Sequence, residues 1–150
     1  MRESQDRIFA EIRQRDKTVK TRRSDGRLYL SKAQQFCADA TTAITNAHND
    51  AALLHAVHAA ISAAGAVCVA LGGRRSSDPD HQRAADLLQE IGGKATDVSG
   101  QVRRLRELIT KRNAVEYESR LATAREATGV LQKAERFVAW ASKTIDAARL

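Results

Sequence analysis

A chain of 150 residues with 25 Lys and Arg against 18 Asp and Glu, net charge +7, is the size of one domain. It can bury roughly 70% of the surface its unfolded form exposes, enough for a core without disulfides or metal. Aromatics make up 4% of the chain, alanine is abundant and Pro79 is the single proline, which favours close-packed helices over a sheet. The positive excess biases encounters toward phosphate-rich or acidic partners without naming one.

Residues 1–27 carry nine basic residues against five acidic ones, with Ile8, Phe9, Ile12 and Val19 as the sizeable apolar side chains beyond Met1. They read as a basic N-terminal arm or one short helix, either solvated or touching RNA or an acidic partner. The longest apolar run there, Ile8-Phe9-Ala10, is too short for a signal peptide. Cys37 and Cys68 sit among apolar neighbours with no C-x-x-C pair, which fits free thiols in the cytoplasm better than secretion.

Ser24-Asp25-Gly26 reads as a turn, after which residues 28–150 form the main body. Ser31-Lys32-Ala33-Gln34 has the form of a capping box, so the first helix is expected to start there and to bury Ala33, Phe36, Cys37, Ala40, Ile44 and Ala47. The joint His48–Asp50 offers Asn49 or Asp50 as the next cap. From Ala51 to Leu71, 21 residues hold no formal charge, long enough to cross a bilayer. The alanine, serine, glycine and histidine content points instead to the central helix of a bundle, with no membrane association expected. His48, His55 and His58 have chelating spacing, but no carboxylate or thiolate falls in register, so they read as buried or edge histidines and no metal or other cofactor is expected.

Gly72-Gly73 should end that helix, the second glycine in a left-handed conformation, before an exposed basic loop Arg74–Ser77. Asp78-Pro79 reads as a cap with proline at the first helical position, which puts His81 in the first turn of a helix burying Ala84, Leu87, Leu88 and Ile91. Gly92-Gly93-Lys94 is a loop and not a phosphate loop, since Leu88 stands where that pattern needs glycine and no Ser or Thr follows the lysine. Thr96 or Ser99 is then expected to cap a helix carrying Arg103, Arg104, Arg106 and Lys111, bases that suit either a phosphate path or a solvated face. A second capping box, Thr123-Ala124-Arg125-Glu126, opens the last helix, whose seam runs Ala127, Leu131, Ala134, Val138, Ala141, Ile145, Ala148. The fold class is therefore all-α, an antiparallel up-and-down bundle of four to five helices. Phe137 and Trp140 beside the seam read as core or dimer-contact residues and not as a base-stacking platform.

The informative stretch is Lys111-Arg112-Asn113-Ala114-Val115-Glu116-Tyr117. Val102, Leu105, Leu108 and Ile109 recur at helical spacing, which carries Arg112 and Val115 onto the same inward face. An inward arginine either lays its methylenes along the core edge or holds an acid or phosphate in a cleft. Arginine, asparagine, three residues and an aromatic, late in an all-helical chain, resembles the HEPN family (higher eukaryotes and prokaryotes nucleotide-binding), with the order of helices similar over about residues 31–145.

That resemblance implies a helical bundle that pairs into a homodimer, with an Arg-x4-6-His motif in the shared cleft. In catalytic members this motif is linked to metal-independent RNA cleavage, and many are toxins encoded beside a nucleotidyltransferase antitoxin. Arg112 matches the family arginine and Asn113 the asparagine that often follows it. Tyr117 stands where the histidine belongs, as in a branch whose motif ends in an acid and tyrosine, here Glu116-Tyr117. His81 occupies a place where the family often has a histidine.

Cleaving RNA without metal needs one group to take the 2'-hydroxyl proton and another to protonate the leaving oxygen, and a tyrosine with an ordinary pKa near 10 does this poorly. Two expectations follow. One is a non-catalytic or weakly active HEPN dimer that binds RNA, a nucleotide or a nucleotidyltransferase partner through Arg112, Asn113 and Tyr117. The other is a ribonuclease in which Arg112 grips the phosphate, Asn113 orients it or the dimer, and Tyr117 or His81 transfers protons. A purely structural helical dimer is the third reading.

Overall fold

In a computed structural model, which describes Gln5, residues 17–93 and residues 95–149, the chain folds as an all-α bundle with one small strand pair. Among the described residues there are five α-helices: α1 (Gly26–Thr45), α2 (Asn49–Gly72), α3 (Gln82–Ile91), α4 (Val98–Tyr117) and α5 (Ala124–Ala147). Short connections return the chain along the bundle. Helix α2 packs against each of the other four. Thirteen of its 24 residues are buried, eight of them alanine, so side chains one methyl deep let α1 and α5 approach it closely. By length and composition α2 could cross a membrane; here its apolar surface is spent inside the bundle. Leu53, Leu88, Leu105, Leu108, Ile109, Phe137 and Ile145 are the large side chains filled in around it.

Helix α1 begins at Gly26, five residues before the expected capping box. Ser31 is inside the helix, and its hydroxyl donates to the Arg27 carbonyl at 3.1 Å instead of capping. The earlier start follows from packing: Leu30 is buried, and a Cβ on Gly26 would lie 2.9 Å from both the Ala66 carbonyl oxygen and the Ala70 Cβ of α2. Gly26 is therefore a point of contact between helices.

The expected basic loop after α2 is also corrected. Gly73 ends α2 with φ 66° as anticipated, but Arg74–Ser76 is a strand, β2, paired antiparallel with β1 (Thr18–Lys20) in the register Thr18↔Ser76, Val19↔Arg75, Lys20↔Arg74. The part of the basic segment from residue 17 onward is thus laid against the bundle, continued by a 3-10 turn at Arg23–Asp25. The remainder of the expected arm, Gln5 apart, lies outside the described residues.

Three caps differ from expectation. Helix α3 starts at Gln82, because the Asp78 carboxylate accepts from the Asp80 N–H (2.8 Å) and the Asp80 carboxylate from the Gln82 N–H (3.0 Å), which delays the helix past Pro79. Helix α4 is entered through Asp97 at φ 60°, and neither Thr96 nor Ser99 caps it. The Thr96 carbonyl accepts from the Trp140 indole at 2.9 Å. Helix α2 follows His48 with no side-chain cap, and Asp50 turns away to accept from the Ala122 N–H at 2.6 Å, tying the start of α2 to the segment before α5. The Thr123–Glu126 capping box forms as expected, with both reciprocal bonds at 3.1 Å. The α5 seam is buried from Ala127 to Ile145, and Phe137 is fully buried.

Candidate functional site

The apolar stripe of α4 puts Val102, Leu105, Leu108, Ile109 and Val115 in the core. Arg112 shares that face, and its side chain is only 16% exposed. The guanidinium makes one ion pair, from an Nη to Glu116 one turn on, at 3.3 Å. Its Nε is buried and has no hydrogen-bond partner. A buried guanidinium N–H without an acceptor costs on the order of 1–3 kcal/mol, so the ion pair with Glu116 leaves part of this cation unsatisfied.

Three imidazoles and a phenyl ring form a cluster, two of whose members, His58 and His81, feel the charge of Arg112. Phe36 of α1 stacks on His55 (ring centroids 6.3 Å, planes 22° apart) and lies against His58 (5.7 Å). His58 meets His81, the residue just before α3, edge to face at 6.1 Å. Both are half-buried. Burial pushes the His58 pKa down, and the charge of Arg112 and the neighbouring His81 and His55 push the same way, with Glu116 opposing. Burial and then Arg112 likewise lower His81, against the carboxylates of Asp80 and Glu116. Helices α2 and α4 and the segment entering α3 thus bring Arg112, Glu116, His58 and His81 into one electrostatic neighbourhood, which disfavours the charged form of both imidazoles.

Of the four residues singled out from sequence, this arrangement unites Arg112 and His81. Asn113 is exposed, and Tyr117, at the last position of α4, is 89% exposed. Neither lies with Arg112 against the core. His58, expected as a buried or edge histidine, is half-buried as anticipated, but its place beside His81 and within the field of Arg112 is not visible in the sequence. Its spacing from His55 shows only that the two share a face of α2, and nothing local signals that the start of α3 and an arginine of α4 arrive beside them.

The surrounding bases divide. Arg106 is tied to Asp86 at 2.6 Å and Lys111 to Glu126 at 2.8 Å, while Arg103 is exposed. Burial pushes Cys37 up to about 11 and Cys68 up to about 12, which disfavours the thiolate of either. A separate apolar concavity of about 840 Å³, bordered by Leu71, Ile91 and Trp140, lies at the far end of α2, roughly 20 Å from His58 at the helical rise.

Compared with known families, residues 27–145 match the HEPN domain. No curated protein matches the chain.

Proposed function

Because the chain belongs to the HEPN family, whose domains are generally involved in RNA-related or toxin–antitoxin functions, we propose that it binds the phosphate of RNA at Arg112. The working unit is a homodimer in the cytoplasm, and its partner is a nucleotidyltransferase of the antitoxin kind. One observation carries the reading: the Arg112 Nε is buried with no acceptor, beside two half-buried imidazoles that can each donate to or accept from a phosphodiester. A net charge of +7 favours the encounter, and an exposed base such as Arg103 adds to it without selecting a sequence. The expected specificity is for single-stranded RNA, whose flexible backbone can bring a phosphate to a half-buried guanidinium more readily than a stiff duplex can.

Fluorescence anisotropy with labelled single-stranded RNA tests this. Arg112→Ala should weaken binding by about ten- to a hundredfold, equivalent to the roughly 1.5–3 kcal/mol of a charge-assisted hydrogen bond. Arg112→Lys should restore only part of it, since an ammonium cannot offer the planar fork. Equal affinity for wild type and Arg112→Ala would overturn the proposal.

A further inference from the structure

The geometry points to a second binding site at the far end of α2, a cleft that takes an amphipathic carboxylate: an aliphatic chain lies between α2, α3 and α5, and its single acid group meets Lys143. The site is independent of Arg112. The cleft holds about 840 Å³, within the roughly 300–1,000 Å³ of small-molecule sites. Leu71 near the end of α2, Ile91 at the end of α3 and Trp140 on α5 are its large walls, and all three are only half-buried. The bundle thus leaves apolar surface from three helices facing one space, and a hydrocarbon chain is the ligand that gains most by covering it.

The polar groups of the wall are largely spent inside the chain. The Trp140 indole gives its one N–H to the Thr96 carbonyl at 2.9 Å, and the Thr144 hydroxyl donates to the Trp140 carbonyl at 2.9 Å. Glu90 at the rim is tied to Arg74 at 3.0 Å. A ligand with polar groups along its length would lose water here and find few partners. Two side-chain donors of the lining remain free, the Thr96 hydroxyl and the Lys143 ammonium, both on exposed residues. Only the second is charged, and Asp146, three positions on, is taken by Arg27 at 3.1 Å.

Orientation follows from the helix ends. Both α2 and α3 stop at this cleft, and the carbonyl end of a helix disfavours an anion. The acid group is therefore held at the rim by Lys143, with the chain directed inward. The reverse orientation would carry the carboxylate to the carbonyl ends and leave hydrocarbon in water.

Trp140 is the only tryptophan of the chain, so its fluorescence reports from the wall of the cleft. The full-length protein is titrated with dodecanoate below its micelle concentration, with calorimetry as a second reading where the indole is silent. Binding should saturate, shift the emission to the blue as the indole loses water, and raise the melting temperature with helical circular dichroism unchanged. Lys143→Ala should weaken it about three- to fivefold, the worth of an exposed ion pair, and Lys143→Glu by about tenfold or more through like-charge repulsion. Dodecanol should bind wild type about as weakly as dodecanoate binds Lys143→Ala. Ala148→Phe, which puts a ring into the cleft, should abolish binding, and the Lys143 variants decide the matter if that protein does not fold. Lys133→Ala, an exposed base of α5 outside the lining, should bind as wild type does. A titration without saturation, a falling melting temperature, or undiminished affinity in Lys143→Glu overturns the site. So does dodecyltrimethylammonium binding as tightly as dodecanoate. Sedimentation showing two copies joined at this face and parted by Ala148→Phe overturns it as well, the occupant then being a second chain.

Discussion

Arg112 and Arg120 are eight positions apart and carry the same charge, yet the fold uses them in opposite ways. Arg120 is saturated by its own chain. Its two Nη groups donate to the two Glu126 oxygens at 2.7 and 3.0 Å, and its Nε faces Glu118 at 2.6 Å. Glu126 in turn takes Lys111 at 2.8 Å and closes the capping box of α5. Arg112 is the more buried of the two but has one ion pair at 3.3 Å and a partnerless Nε. A cation whose donors are all answered within the chain holds the chain together. One that is desolvated and only partly answered weakens the fold.

Three substitutions test that contrast. The largest stability effect should come from Glu126→Gln, which keeps an amide for the capping box while removing the ion pairs to Arg120 and Lys111. Those partners, Arg120 first, hold the Glu126 pKa well below the usual carboxylate range. A carboxylate depressed in the folded state contributes stability that is present above its unfolded pKa, about 4.3, and is lost as pH falls through the folded value. The wild-type melting temperature should therefore drop on acidification through this range, and that of Glu126→Gln should start lower and drop less. Parallel curves would remove the network from the stability of α5.

Arg112→Met should act with the opposite sign. It keeps the side-chain length and deletes the unanswered N–H, so the fold should gain up to about 1 kcal/mol, read as a rise in melting temperature of roughly 2–4 °C for a chain of this size. A fall comparable to that of Glu126→Gln would make Arg112 a structural residue of the same kind as Arg120.

The smallest effect is expected from Tyr117→Phe. With 89% of the residue exposed, its hydroxyl has little to lose, and stability should stay within about 0.5 kcal/mol with RNA affinity within about twofold. A tenfold loss of affinity would mean that a second subunit draws Tyr117 toward the bound RNA.

Much of the architecture was legible in the sequence. The uncharged run 51–71 fell within the central helix, Gly73 took the left-handed end, and Thr123–Glu126 opened the last helix, because each of these depends on side chains within a turn of one another. The failures have the opposite cause. Ser31 sits inside a helix extended by the contact of Gly26 with α2, and Arg74–Ser76 becomes a strand because Thr18–Lys20 comes to lie beside it. Both outcomes depend on a partner distant in the chain, which no local signal reports.

The same division holds for the site. Spacing along α4 was enough to turn Arg112 toward the interior, since a helix sets the direction of each side chain from its position alone. Whether anything would answer that guanidinium, and that His58 and His81 would stand beside it while Asn113 and Tyr117 faced outward, was decided only by how α1, α2, α3 and α4 pack. Residues 58, 81 and 112 share no local period, and nothing short of the assembled bundle sets the distance between them.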